Sequence, residues 1–164
     1  MKIIIDTREQ RPFGFTGQLY EGTTIEAGAL AIGDYSLAGL ADRVSVERKS
    51  LDDLVACLSR ERDRFERELQ RAAALDAFAI AIEATEADLL SGNYRSKMHP
   101  RSAYQSVVAF EARYRIPFHF ANDRAGAEYY THSFLKQYLQ GAYKRLVAIQ
   151  KAHSAANRTA VGLS

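Results

Sequence analysis

Residues 33–53 read GDYSLAGLADRVSVERKSLDD, and the rest of the chain is organised around this stretch. Valine alternates with other residues in its VSVERK segment, which is typical of a β-strand. Because residues two apart in a strand share a face, Glu47 and Lys49 are predicted to point one way and Arg48 the other. A short turn between the two halves of the stretch allows a hairpin, which would bring Asp34 beside Glu47.

Two carboxylates and one ammonium on a single face would form a site with definite chemistry. Carboxylate oxygens are ligands that Mg²⁺ and Mn²⁺ prefer, and a lysine beside them can orient water or carry charge. A lone Glu-x-Lys pair is more often an exposed charge pair of little consequence. Here Ser50 begins a helix directly after Lys49, and an Asp-Thr-Arg-Glu cluster at residues 6–9 ends an apolar strand. These flanking features favour a functional site.

The segments DTRE, GDYSL and VERKSLDDL, in this order, resemble the XPF-type nuclease domain of structure-specific DNA endonucleases. That family's signature is Gly-Asp, a variable spacer, Glu-Arg-Lys, three further residues and Asp. Gly33-Asp34, Glu47-Arg48-Lys49 and Asp53 fill these positions. The resemblance covers roughly residues 2–150 and is most specific between residues 6 and 65. It implies an α/β, restriction-endonuclease-like domain of three layers, with a central mixed β-sheet flanked by helices.

The resemblance also implies a metal-dependent DNA endonuclease that hydrolyses phosphodiester bonds at branched or flapped DNA, in repair, recombination or replication. Mg²⁺ or Mn²⁺ would be the cofactor, with Asp34 and Glu47 as direct ligands and Asp6 as a further ligand or the site of a second ion. Lys49 would orient or deprotonate the attacking water. The predicted catalytic residues are Asp6, Glu9, Asp34, Glu47, Arg48, Lys49 and Asp53.

Two residues of the signature have open roles. Arg48 is predicted to point away from the Glu47/Lys49 face, so either a local twist brings it into the site or it anchors Asp53 or another acid. Asp53 lies three residues after Ser50, where an acid completes a capping box at a helix start. Helix capping and orientation of the site are compatible roles for it.

The bulk composition is that of a single globular domain. The 164 residues are 47% hydrophobic and 26% charged, which is enough for a core of useful size. A net charge of +2 does not indicate a nucleic-acid binder, so a basic surface must come from local clustering. The single cysteine favours a reducing compartment, and no segment resembles a signal peptide or a membrane span. We therefore expect an intracellular protein, cytoplasmic or nucleoid-associated if prokaryotic, with no membrane partner.

Periodicity predicts alternating strands and helices. The predicted strands are residues 2–6, 23–30, 32–37, 44–48, 78–83 and 116–121. The predicted helices are residues 50–75, a short one from the Thr85 capping box to Gly92, residues 102–114, and a last helix from Asn122 or Asp123 to about residue 150. In the first helix, a core face is predicted for Leu54, Leu58, Phe65, Leu69 and Ala72.

Two basic segments are candidate DNA contacts. Arg60, Arg64, Arg67 and Arg71 form a narrow band on the first predicted helix, either a solvated face with ion pairs or a stripe that contacts phosphates. Residues 91–101, SGNYRSKMHPR, are irregular and basic, and form either a solvated loop or a contact with the DNA backbone. The predicted DNA-binding residues are Arg8, Arg64, Arg67, Arg71, Arg95, Lys97 and Arg101.

The domain organisation predicted is a nuclease domain of residues 1–150 and a polar tail of residues 151–164 that frays. XPF-type nucleases usually carry a tandem helix-hairpin-helix module, which we expect this chain to lack. The broad apolar face of the last helix either packs into the core or forms a homodimer interface. Alternatively, a partner protein provides the DNA-binding surface that the missing module would supply. A non-catalytic DNA-binding or scaffold module of the same fold, and a nuclease without branch specificity, are alternative functions.

Overall fold

The computed structural model describes the backbone of residues 1–161 and the side chains of residues 1–154. Within this part of the chain one sheet contains the strands β1 Lys2–Asp6, β2 Thr24–Gly28, β3 Tyr35–Leu37, β4 Val44–Lys49, β5 Ala77–Ile82 and β6 Phe118–Phe120. The helices are α1 Leu51–Leu58, α2 Arg62–Ala72, α3 Glu86–Ser91, α4 Pro100–Tyr114 and α5 Arg124–Val161, and a 3₁₀ turn spans Gln18–Tyr20.

The sheet is mixed, with the strand order β2-β1-β3-β4-β5-β6. β3 runs antiparallel to both β1 and β4, whereas the pairs β1–β2, β4–β5 and β5–β6 are parallel. Tyr35 pairs with Val46 and Ser36 pairs with Ser45, so β3 and β4 form the predicted hairpin. The next residues outward along this ladder are Asp34 and Glu47, which the hairpin places at the same edge of the sheet.

Apolar side chains bury both faces of the sheet and create three layers. On one face, Ile80 and Ile82 of β5 belong to a core with α1, α2 and α4. On the other face, Ala81 packs in a second core that includes Ala127 and Leu135 of α5. The alternation of neighbouring residues between the two cores follows from the two-residue period of a strand. The predicted α/β fold with helices on both sides of a mixed sheet is confirmed.

The predicted single helix over residues 50–75 is wrong, because two helices occupy this segment. The backbone of Ser59 leaves the helical conformation (φ −119°, ψ −98°), and its hydroxyl donates to the carbonyl of Val55 at 2.7 Å. A serine hydroxyl that bonds to the preceding turn competes with helix continuation. The predicted core residues are nevertheless all buried, in α1 (Leu54, Leu58) and in α2 (Phe65, Leu69, Ala72).

The last helix begins as predicted and ends later than predicted. The carboxylate of Asp123 accepts a hydrogen bond from the amide of Gly126 at 2.8 Å, which caps the helix start. α5 continues to Val161, so the predicted end near residue 150 is wrong, and much of the predicted tail of residues 151–164 is helical. No glycine or proline interrupts residues 142–161, which explains the continuation. Residues 162–164 lie outside the described part of the chain.

The apolar face of α5 is divided between two environments. Ala127 and Leu135 are buried in the core, whereas Tyr143, Leu146 and Ile149 are exposed. Core packing therefore explains the first half of the helix face, and a homodimer or partner contact through the second half stays a prediction. None of the helices that the structure describes is both long and apolar enough to cross a membrane.

Candidate active site

The β3–β4 hairpin fixes Asp34 by backbone contacts on both sides. Its amide donates to the carbonyl of Val46 at 2.9 Å, and its Oδ2 accepts from the amide of Arg48 at 2.8 Å. Gly33 has φ +76°, and a Cβ at this position would lie 2.1 Å from Oγ of Ser45. Only glycine therefore fits before Asp34, which is the physical reason for the Gly-Asp pair.

Glu47 and Lys49 lie on the same face of β4, as predicted. Nζ of Lys49 donates to Oε1 of Glu47 at 2.7 Å, and the ammonium lies 5.4 Å from the ring centroid of Phe65 in α2. Lys49 is buried, since α1 and α2 cover this face of the sheet. The helices thus hold the lysine beside its carboxylate and keep most solvent away from the pair.

The electrostatics of the site are those of crowded carboxylates around one cation. Burial and the neighbouring charge of Glu47 raise the pKa of Asp34 to about 8. Burial alone would lower the pKa of Lys49, but the nearby acidic groups, Glu47 first and then Cys57 and Glu68, together raise that pKa above its ordinary value. Lys49 is therefore an ammonium at neutral pH, which suits a hydrogen-bond donor and not a base.

Glu68 of α2 is a residue of this site that sequence reasoning missed. Its pKa is raised by burial and by the charge of Glu47, and Lys49 opposes the shift, so Glu68 lies within electrostatic reach of that pair. In the sequence, Glu68 is one of the acids that lie between the arginines of this segment and keep its local charge near neutral. The sequence did contain a signal for this position, because the helical period places Glu68 at the border of the buried face that Phe65 and Leu69 define.

Arg48 points to the opposite face of β4, where it anchors an acid. Its Nε and Nη2 donate to the two carboxylate oxygens of Glu9 at 3.0 and 3.1 Å, and its Nη1 lies 3.4 Å from Oε1 of Glu83. Arg124 of α5 donates to the same oxygen of Glu83 at 2.8 Å. The prediction that Arg48 anchors an acid agrees with these contacts, and that acid is Glu9 and not Asp53. Glu83 and Arg124 were not predicted as members of this network.

Asp6 uses both of its carboxylate oxygens in hydrogen bonds. Oδ1 accepts from the amide and Nε of Arg8 at 2.8 and 2.7 Å, and Oδ2 accepts from Nη2 of Arg8 at 2.9 Å and the amide of Leu30 at 2.7 Å. The bonds from Arg8 are the main reason that the pKa of Asp6 is lowered to about 2. Asp6 is therefore ionised and fully engaged by protein donors.

The predicted three-carboxylate metal site does not form as a compact cluster. Among the residues that the structure describes, no group of three or more His, Cys, Asp and Glu side chains is arranged to hold a metal ion. Asp34 and Glu47 nevertheless fit a hard divalent cation, because their mutual repulsion is what such an ion would relieve. Mg²⁺ commonly takes one or two carboxylates and completes its shell with water and phosphate oxygens.

Ser50 caps α1, and Asp53 is an exposed residue of the first turn of that helix. Oγ of Ser50 accepts from the amide of Asp53 at 3.2 Å and donates to its Oδ2 at 2.6 Å. A groove of about 550 Å³ lies beside this helix, lined by Asp52, Asp53, Ala56, Ser59, Arg60, Arg95, Ser96 and Lys97. The predicted cap at Ser50 is confirmed, but the Asp53 carboxylate accepts from the Ser50 hydroxyl and not from the Ser50 amide, so the predicted capping box is incomplete. The role of Asp53 in the site stays a prediction.

The candidate DNA contacts are exposed and partly neutralised. Arg64 pairs with Glu61, and Arg95 donates from its amide to Oδ1 of Asp52 at 2.8 Å. Arg60 lies in the break between α1 and α2, so the predicted four-residue band is not one helix face. The other candidates that are exposed are Arg8, Arg67, Arg71, Lys97 and Arg101. DNA binding by these residues stays a prediction.

Comparisons with known proteins identify the family of this chain and agree with its fold. The sequence model of the family described as the ERCC4 domain matches residues 5–134. The solved structure of XPF from Aeropyrum pernix is similar, with a TM-score of 0.65 and 23% identity, over 92% of this chain and 69% of that chain. The structure of XPF from Aeropyrum pernix in complex with DNA has a TM-score of 0.65 and 23% identity, over 85% and 66% of the two chains. A search of curated proteins gives no significant match.

Proposed function

This chain belongs to the ERCC4 domain family, a family of nucleases, and from this membership we propose that it is a metal-dependent endonuclease that hydrolyses phosphodiester bonds in DNA. The observation that carries the proposal is the meeting of Asp34, Glu47 and Lys49 at one edge of the sheet. The hydrogen bonds from the Arg48 amide to Asp34 and from Lys49 to Glu47, 2.8 and 2.7 Å long, hold these groups in place.

Hydrolysis of a phosphodiester needs an oriented water and relief of the charge that builds up on the phosphate. Asp34 and Glu47 are the residues that would hold Mg²⁺ or Mn²⁺, and a bound ion would lower the pKa of a coordinated water and neutralise phosphate charge. Lys49 would donate a hydrogen bond to the attacking water or to a phosphate oxygen, since it is protonated at neutral pH. This supports the orienting role predicted for Lys49 over a deprotonating one.

Two residues on the other face of β4, Arg48 and Glu9, help to hold the Asp34 carboxylate in position. Arg48 presents its amide to Asp34 while its guanidinium is held by Glu9. A catalytic carboxylate must be held within a fraction of an ångström of its working position. Arg48 and Glu9 are therefore proposed as positioning residues, which gives the two predicted residues a role without contact to the substrate.

Removal of divalent ions tests the proposed chemistry. We expect EDTA to reduce cleavage of a fluorescently labelled flap DNA to background, and added Mg²⁺ or Mn²⁺ to restore it, because the two carboxylates need a cation. Thermal unfolding in EDTA serves as the control that the fold persists. Cleavage that continues unchanged in EDTA would contradict the mechanism. DNA binding without cleavage under any of these ions would instead support a non-catalytic module.

The shape of the substrate is the second part of the proposal. The family resemblance implies branched DNA, so we expect forks, flaps or junctions to be cut faster than a plain duplex of equal length by about tenfold or more, a difference of about 1.4 kcal/mol in the barrier. Initial rates on a mixed panel of these substrates measure the preference. Equal rates on every member would support a nuclease without branch specificity.

A further inference from the structure

The guanidinium of Arg8 is fixed in place although it lies at the surface. Nε donates to Oδ1 of Asp6 at 2.7 Å, while Nη2 donates to Oδ2 of Asp6 at 2.9 Å and to the carbonyl of Leu30 at 2.7 Å. The side chain is nevertheless 73% exposed. A free arginine side chain at a surface moves among many rotamers. Three hydrogen bonds remove that freedom, so Arg8 is preorganised to bind a ligand.

The position of Arg8 is beside the Asp34/Glu47 edge of the sheet. The amide of Asp6 donates to the carbonyl of Asp34 at 2.8 Å, so the two strands place Arg8 just beyond this edge. The bond to Asp6 is the main cause that raises the pKa of Arg8, and the charges of Asp34 and Glu47 raise it further. The fixed guanidinium therefore lies within electrostatic reach of the two carboxylates.

One end of the guanidinium is available to a ligand. Within the described part of the chain, Nη1 of Arg8 has no hydrogen-bond partner, whereas Nε and Nη2 are both engaged. An arginine held in this way presents donors of fixed direction, which match the oxygens of a phosphate. Lysine could supply the charge but not the paired bonds to Asp6.

The same contacts stabilise the buried Asp6 carboxylate without a metal ion. Its two oxygens already accept four hydrogen bonds, three from Arg8 and one from the Leu30 amide. A metal ion at Asp6 would compete directly with a guanidinium 2.7–2.9 Å away. The arrangement suits a carboxylate that orients an arginine.

We propose that Arg8 anchors a phosphate of the DNA strand at the Asp34/Glu47 edge, and that Asp6 is the positioning residue that holds Arg8 there. This inference rests on the proposed nuclease function, because it takes DNA as the ligand. It replaces the predicted role of Asp6 as a metal ligand with a role that acts through Arg8. It also separates Arg8 from the other predicted DNA contacts, which are not held in this way.

DNA binding in the absence of metal tests the proposal without relying on cleavage. The probe is a fluorescently labelled flap DNA, measured by anisotropy in EDTA over a series of salt concentrations. We expect Arg8→Ala to weaken binding several-fold and to reduce the slope of log K against log salt by about 1, as for the loss of one phosphate contact. Arg8→Lys should recover the slope but only part of the affinity.

Asp6 variants test the positioning role. Asp6→Asn should reproduce much of the affinity loss of Arg8→Ala, and the double variant should be little worse than either single one, because the two residues act as a unit. Binding of Mn²⁺ alone, followed by calorimetry, should change less than about twofold in Asp6→Asn, a difference under about 0.4 kcal/mol. A matched control is Arg43→Ala, an exposed, ion-paired arginine at the other end of β4, which should leave affinity and salt slope unchanged.

Three results would overturn the inference. Unchanged affinity and salt slope in Arg8→Ala, with thermal unfolding as the check that the variant folds, would remove Arg8 as a phosphate anchor. Because Arg8→Ala leaves the buried Asp6 without its guanidinium, Arg8→Gln, which keeps a donor for Asp6, is measured beside it and should lose the same salt slope. Loss of Mn²⁺ binding with intact DNA affinity in folded Asp6→Asn would show that Asp6 is a metal ligand. Absence of DNA binding by the unaltered protein would overturn the whole proposal. Failure of the nuclease function is seen separately, as DNA binding that depends on Arg8 without cleavage under any metal.

Discussion

Asp34→Asn is expected to abolish DNA cleavage while making the metal-free protein more stable at neutral pH. The substitution removes one of the two carboxylates proposed to hold the cation, so we expect a loss of about a thousandfold or more in cleavage rate, about 4 kcal/mol in the barrier. It also removes a carboxylate whose ionised form destabilises the folded state, because burial and the charge of Glu47 both oppose its ionisation. Asparagine keeps the side-chain oxygen that accepts from the Arg48 amide.

The sign of the stability change follows from proton binding. The pKa of Asp34 is about 8 in the folded protein and 3.8 for an unperturbed aspartate. Between these values the folded state binds the proton more tightly than the unfolded state, so stability falls as pH rises from about 4 to 8. Asp34→Asn removes this slope. We expect a gain on the order of 2 kcal/mol at neutral pH, or roughly 5 °C in the midpoint of thermal unfolding.

Lys49→Ala distinguishes loss of the site from loss of the fold. It should also abolish cleavage, but it leaves Glu47 without its buried partner and should therefore lower stability. Asp42→Asn, an exposed aspartate at the far end of β4, is the matched control and should change neither property. Cleavage and thermal unfolding of the three variants, with and without Mg²⁺, measure the effects. Normal cleavage in Asp34→Asn would refute the assignment of the site.

Arg48→Ala is expected to destabilise the protein by about 3–5 kcal/mol, the range for removal of one partner from a buried ion pair. The side chains of Glu9 and Glu83 are only 4% and 10% exposed, and Arg48 contacts both. Glu83 keeps Arg124, but Glu9 is left without a guanidinium. Its pKa, which Arg48 holds down against the effect of burial, should then rise.

Equilibrium unfolding in urea measures this loss, as a shift of the midpoint at constant slope. The control is Arg64→Ala in α2, whose side chain is 62% exposed and paired with Glu61. A surface pair of this kind contributes at most about 1 kcal/mol. A difference of less than 1 kcal/mol between the two variants would show that the Glu9–Arg48–Glu83 network does not stabilise the fold. Reduced metal affinity in Arg48→Ala would in addition support its positioning of Asp34.

Much of the site was predictable because its residues are close in sequence. Glu47 and Lys49 share a face by the two-residue period of a strand, and the Gly-Asp turn needs only a hairpin to reach them. The Ser50 cap and the Thr85 capping box are also local, and the structure contains both. Such signals depend on a few neighbouring residues, whose conformations are limited by backbone sterics and hydrogen bonding.

Other features depended on contacts between distant segments. The break at Ser59 divides a segment whose apolar period is continuous. Glu83 meets Arg48 across 35 residues of sequence and Arg124 across 41. The effect of the Glu47 charge on the pKa of Glu68 likewise requires α2 to lie over the sheet. Period and spacing describe one element at a time, so they carry no information on which side chains meet across the packed layers.

Asp6 shows most clearly which features the local sequence determined and which the tertiary contacts determined. Its place at the end of an apolar strand, two residues before an arginine, was readable from the chain and indicated a charged functional edge. Whether its carboxylate faces a metal ion or a guanidinium depended on the Leu30 amide and carbonyl, which the β1–β2 pairing brings to it from 24 residues away. Local propensity sets which groups lie at an edge, but hydrogen-bond partners are chosen by the tertiary contacts that satisfy each buried charge.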